Sequence, residues 1–175
     1  NIIRITDETY GIEIKNKYNN NISGKTITIN KSGNYRLKFN NFNDKIVFYL
    51  PFKIIINSDN VTIDGANTRF FINGEKLNDG LIESGTKTKK SKNNIVVKNI
   101  DVKFIYNMYI KVDKSNANGY GALCSSYFGY GSKCMIYDCV VTIDKFVDNG
   151  GGIVGSHAGK SGMLLISGCV FTGNI

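Results

Sequence analysis

Tryptophan is absent from this chain of 175 residues, and proline and histidine occur once each. One histidine is poor company for metal chemistry, and Cys124, Cys134, Cys139 and Cys169 are not spaced as zinc ligands. No metal and no cofactor is therefore expected. A lone proline, Pro51, suits strands whose N–H groups mostly donate to ladders. No apolar run approaches the roughly 18 residues of a membrane-crossing helix, so membrane insertion is not expected. No segment sustains apolar residues at i, i+3 and i+4, so almost no helix is expected either. Negative charge is scarce: 14 Asp and Glu stand against 22 Lys and Arg, for a net charge of +8. With 42% hydrophobic residues the chain has the apolar content of a folded domain.

What is present is periodic. The last third, 119–175, reads as one unit written twice. Gly119-Tyr-Gly-Ala-Leu-Cys-Ser-Ser precedes Cys134-Met-Ile-Tyr-Asp-Cys-Val-Val-Thr142. Gly150-Gly-Gly-Ile-Val-Gly-Ser-His-Ala-Gly159 precedes Met163-Leu-Leu-Ile-Ser-Gly-Cys-Val-Phe-Thr172. Cys139 falls on Cys169 at a step of 30, whereas Gly121 falls on Gly152 at a step of 31, which places a one-residue slip in the loop between. A glycine-led strand followed by a strand of alternating apolar residues, repeated at this length, points to a solenoid whose units bury their apolar faces only by stacking. An earlier copy lies at Asn94 to Phe104. Its Ile95, Val97, Ile100 and Val102 align with Cys134, Ile136, Cys139 and Val141, then with Leu164, Ile166, Cys169 and Phe171. The two polar or small residues inside each copy (Lys98-Asn99, Tyr137-Asp138, Ser167-Gly168) flip the alternation, as a chain turning a corner requires. The step from Ile100 to Cys139 is 39, which predicts an extra loop within Tyr109 to Asn118.

Shorter β-like runs precede these: Ile2–Ile5, Tyr10–Ile14, Thr26–Ile29, Tyr35–Phe39, Ile46–Leu50, Phe52–Ile56, Val61–Asp64 and Phe70–Ile72. Cys139 and Cys169 are expected stacked in the core as small hydrophobes, with a disulfide across rungs as the alternative.

Gly151-Gly-Ile-Val-Gly-Ser-His-Ala-Gly159 with Gly168-Cys-Val-Phe-Thr-Gly-Asn-Ile175 resembles the glycine-rich GLUG-type repeat, and Gly119 to Ile143 resembles it loosely. Such repeats occur in right-handed parallel β-helix regions of bacterial surface adhesins and large-virus proteins. Asn60-Val-Thr-Ile-Asp-Gly65 looks like a rung of pectin-lyase-like β-helices, and the Asn- and Lys-rich style is similar to that of giant DNA viruses of protists. The resemblance implies a virion or extracellular surface location, and it brings glycan hydrolases and lyases into view. Hydrolysis needs carboxylates converging on one cleft. Asp101 and Asp138, near a corner in successive coils, are the nearest approach to such a pair, and polygalacturonase-like Asn-Thr-Asp, Asp-Asp and Arg-Ile-Lys motifs are missing.

The expected fold is therefore all-β: a single right-handed parallel β-helix over 1–175, of roughly five to seven coils. Residues 1–50 form less regular coils, 51–118 the middle coils and 119–175 the Gly-rich repeats. No catalytic residue is assigned. Two binding stretches are. Lys87, Lys89, Lys90 and Lys92 form a basic knot that is either a solvated loop or a contact for an anionic glycan, acidic protein or, less expected, nucleic acid. Tyr127, Phe128 and Tyr130 form an exposed-looking aromatic loop that either stacks on sugar rings or packs over the coil. His157 reads as a solvent-facing turn residue rather than a general base, and Gly150-Gly-Gly152 as tight corners rather than a phosphate cradle. The chain starts at Asn1 rather than Met and stops at Ile175 without a polar cap, so other copies or further repeats are expected to stack on the C-terminal rung. The reading is a non-enzymatic structural or attachment module contacting a surface glycan or another surface protein. Its alternative is a polysaccharide-processing enzyme or glycan-binding module.

Overall fold

The computed structural model describes residues 2–6, 26–38, 46–48, 51–108, 112–113, 118–146 and 151–173. Alternating sequences become alternating burial. Thr26-Ile-Thr-Ile29 and Lys53-Ile-Ile-Ile56 bury every second side chain, and Val61-Thr-Ile-Asp64 does the same. A strand with one apolar face is stable only against another such face, so these segments stack and close on themselves.

Three parallel sheets result, visited in the same order from Thr26 onward. The first contains β2 (Thr26–Ile29), β5 (Lys53–Ile56) and β8 (Ile82–Glu83), and single bridges from Ile82 to Cys124 to Val154 extend it. The second contains β1 (Ile2–Thr6), β3 (Gly33–Lys38), β6 (Val61–Asp64), β9 (Ile95–Lys98), β13 (Lys133–Tyr137) and β15 (Met163–Ser167). The third contains β4 (Ile46–Phe48), β7 (Arg69–Asn73), β10 (Asp101–Met108), β14 (Val140–Phe146) and β16 (Val170–Gly173). One 3-10 turn, Gly74–Lys76, is the only helix among the described residues. The expected parallel β-solenoid is present. From β3 to β15 the chain closes four turns, fewer than the five to seven coils expected. The register shows why: successive turns take 28, 34, 39 and 30 residues, so long corners use up chain.

The alignment of the three late copies holds residue for residue. Ile95, Cys134 and Leu164 are register partners, as are Val97, Ile136 and Ile166, and then Val102, Val141 and Phe171. The two-residue interruptions are the corners between the second and third sheets. Asn99, Asp138 and Gly168 sit there at φ 54°, 54° and 62°, residue types that tolerate the left-handed region. Asparagines also bond to one another from rung to rung: Asn94 Nδ2 donates to Asn60 Oδ1 at 2.8 Å, and Asn57 Nδ2 to Asn30 Oδ1 at 3.0 Å. The long third turn contains an antiparallel pair, β11 (Val112–Asp113) with β12 (Asn118–Gly119), which spans the predicted extra loop and ends one residue beyond it. The Tyr10–Ile14 run lies outside the described residues.

Cys124, Cys134 and Cys139 are buried, Cys169 is half-buried, and all four are free thiols rather than a disulfide. Burial pushes the Cys139 thiol up to about 12 and the Cys124 thiol well above its ordinary value, so both remain protonated and act as small apolar groups.

Candidate functional site

After the first sheet each turn must bend sharply to enter the second, and three such bends lie on top of one another. They are 84–92, 125–132 and 155–162. Backbone hydrogen bonds join them: Ser91 N–H to Tyr130 O at 2.8 Å, Gly131 N–H to Lys160 O at 2.8 Å, Tyr127 N–H to Ser156 O at 3.0 Å. Tyr127, Gly129 and Gly131 have positive φ, and so do His157, Gly159 and Ser161, the same three places in the next rung. The bridges pair Gly121 with Gly151 and Cys124 with Val154. The repeat therefore steps by 30 throughout, and the expected one-residue slip between Gly121 and Gly152 is not there. Three consecutive glycines, Gly150 to Gly152, let the sequence be read in either register. The bridge decides it.

The corner brings the two predicted binding stretches together. Lys87, Lys89 and Lys90 are exposed and Lys92 is half-buried. Thr86 and Lys89 exchange backbone hydrogen bonds of 2.8 and 3.3 Å that close the lysine loop into a turn, and Lys89 Nζ donates to Asn57 Oδ1 at 3.3 Å. The stem of Lys90 lies across Gly131 of the next rung, where a Cβ would meet its Cδ at 3.0 Å. In the rung after that, Lys160 Nζ sits 5.9 Å from the Tyr127 ring centroid and 5.8 Å from that of Tyr130.

Of the two readings of the aromatic loop, the burial is that of rings packed over the coil. Phe128 is fully buried and Tyr127 only 5% exposed. A phenyl ring gains about 1.5–3 kcal/mol by leaving water, and the glycine-rich turn leaves room for it to close over the interior. Tyr127 stacks on the exposed His157 ring at 4.8 Å and 5°, and meets Tyr130 edge-on at 5.9 Å. Tyr130 alone of the three keeps a half-exposed side chain. His157 is the solvent-facing turn residue expected, and with Lys160 it joins this corner, which sequence reading missed. The available signal was the step of 30, which sets His157 on Tyr127 and Lys160 on Tyr130.

A second feature lies on the outer face of the second sheet, a cleft of about 220 Å³ lined by a column of register partners, Arg36, Asp64, Lys98 and Tyr137. Asp64 accepts hydrogen bonds from Ala66 N–H at 2.8 Å and Asn99 Nδ2 at 3.1 Å, with Arg36 at 3.7 Å. Burial pushes its carboxyl up, but these two hydrogen bonds and the Lys98 and Arg36 cations outweigh it and hold the group below 3.8. A lowered folded-state value means that the stabilisation is present above the unfolded-state value and lost as pH falls through the folded one. The melting temperature of Asp64→Asn is therefore expected to lie below that of the parent at neutral pH, and the gap to narrow below about pH 4. A gap that stays constant through that range rules this account out.

Four further acids are engaged by neighbouring rungs. Glu83 pairs with Lys53 at 3.3 Å, Asp101 with Arg69 at 3.1 Å and Asp144 with Lys103 at 3.1 Å. Asp79 accepts from Gly121 N–H and from the backbone and hydroxyl of Ser126 in the next turn. Asp138 follows Tyr137, the partner of Lys98, and so stands opposite Asn99, while Asp101 is the register partner of Val140. The expected approach of Asp101 to Asp138 is displaced by two residues. No group of three or more His, Cys, Asp or Glu side chains able to hold a metal occurs among the described residues.

No family model, curated protein or solved structure matches this chain. Its reading rests on its own geometry.

Proposed function

We propose that the chain is a non-enzymatic structural or attachment module, built from GLUG-like rungs and displayed on a virion or cell surface. The observation that supports it best is the rung of β15 and β16. Ile166 and Phe171 are 40 and 42% exposed there, although their register partners Ile136 and Val141 are fully buried, so both face inward on the side that a rung of the same register would cover. The backbone edges of both sheets at this rung offer ladder positions in the same register. A rung of the same kind, from a second copy or a further repeat, satisfies apolar surface and amides together.

The engagement of Glu83, Asp101 and Asp144 by cations of neighbouring rungs also favours scaffolding over catalysis. A polysaccharide-processing enzyme has its best place in the cleft beside Asp64, which supplies one carboxylate where hydrolysis uses two.

The test is self-association. Light scattering over a concentration series is expected to show growth of the parent chain, and Ile166→Lys is expected to reduce it at least tenfold while the variant remains folded by circular dichroism, with a modestly lower melting temperature because Ile166 packs inward beside Ile136. A lysine there sets a charge where the next rung must pack. A parent chain that stays monomeric at high concentration, or a variant that assembles equally well, overturns stacking between copies.

A further inference from the structure

On the attachment reading above, we propose that the corner formed by 84–92, 125–132 and 155–162 binds an acidic polysaccharide laid along the solenoid axis. Amines recur there at separate heights. Lys89 and Lys90 stand on one rung, and Lys160 stands two rungs further on, as the bonds from Ser91 to Tyr130 and from Gly131 to Lys160 establish. Among the described residues no carboxylate pairs with Lys89, Lys90 or Lys160. Two of the amines are steered by their surroundings. Lys90 is laid over Gly131, and Lys160 is held over two tyrosine rings. Between them, on the middle rung, the half-exposed Tyr130 offers a hydroxyl and a ring edge.

Spacing selects the ligand. Parallel strands repeat every ~4.8 Å, so two rungs span ~10 Å. One rung is close to the length of a pyranose residue, and two rungs to that of a disaccharide. A glycan with one carboxylate per disaccharide thus presents its charges in step with Lys90 and Lys160. An extended acidic peptide falls out of step, because its same-face side chains repeat every ~6.7 Å. Single-stranded nucleic acid needs open ring faces for its bases, and Tyr127 and His157 have turned theirs toward each other.

The experiment is calorimetric titration of the full chain with a hyaluronan decasaccharide, a neutral cello-oligosaccharide and a ten-nucleotide single-stranded DNA. Hyaluronan is expected to bind and to weaken as salt rises. The neutral sugar is expected to show no heat, and the DNA to bind at least tenfold more weakly. Lys90→Gln and Lys160→Gln are each expected to weaken hyaluronan severalfold and together at least tenfold, while Lys145→Gln, an exposed lysine elsewhere, leaves it within twofold. No hyaluronan binding, equal loss at Lys145, or DNA binding as tight as the glycan overturns the proposal. Light scattering on the same variants separates the two readings. Binding lost with self-association intact supports this site alone, whereas new reducing ends during incubation overturn the non-enzymatic module.

Discussion

Gly121→Ala is expected to destabilise the fold by about 3–5 kcal/mol, overpacking and broken ladder bonds together. A methyl at this position would lie 2.0 Å from Cys124 O and 2.4 Å from Gly155 N of the following rung. Both neighbours are main chain, and neither has a rotamer to change. The next rung is bound there by Ala122 N–H to Gly151 O at 3.1 Å and Gly151 N–H to Tyr120 O at 2.9 Å, and Asp79 bonds Gly121 N–H itself at 3.1 Å. Making room therefore breaks contacts on both sides of the rung. Gly131→Ala is the comparison. There the nearest atoms belong to the flexible Lys90 stem, and the main penalty is the positive φ of 68°, worth roughly 1 kcal/mol. Urea denaturation of the two variants reads the difference directly. A Gly121→Ala protein within about 1 kcal/mol of the parent would show that the rungs slide apart freely at this corner.

The rungs were legible because burial writes itself into the sequence with period two, and because copies are compared with each other. Ile95, Cys134 and Leu164 align as a column without any knowledge of the fold, since each must be apolar at one height of the same face. The corners were legible where Asn99, Asp138 and Gly168 interrupt the alternation. Two things were hidden. The number of turns depends on loop length, and the 39-residue step from Ile100 to Cys139 was readable only because copies could be aligned there, whereas the earlier runs show no such copies and their turns of 28 and 34 residues emerge only when strands are paired. The aromatic loop left two readings open because a ring beside glycines can face either way, and Phe128 is fully buried behind its turn.

The candidate site was half legible for a related reason. Lys87 to Lys92 and Tyr127 to Tyr130 stood out as separate compositions roughly 40 residues apart. That they share one corner depends on the register between turns, which only the ladder from Ser91 to Tyr130 reveals. Function in such a fold is set by what consecutive rungs place side by side. A linear reading sees each rung alone.

Phe104→Ala is expected to cost about 3–5 kcal/mol, the range for truncating a buried aromatic ring. Phe104 is fully buried in β10, between its register partners Ile72 on one rung and Ile143 on the next. Its loss opens a void inside a stack in which each rung is held chiefly by its neighbours, so coupling fails on both sides of one position. The adjacent Lys103 is the internal control. It points outward from the same strand and pairs with Asp144 at 3.1 Å, with both side chains a third or more exposed. Lys103→Ala should therefore cost under about 1 kcal/mol, as a solvent-screened pair does. The two substitutions sit one residue apart in sequence and on opposite faces of one strand. Chemical denaturation that finds their costs equal would remove the alternation on which every rung of this solenoid is built. A gap of several kcal/mol would place Phe104 among the residues that hold the central turns together.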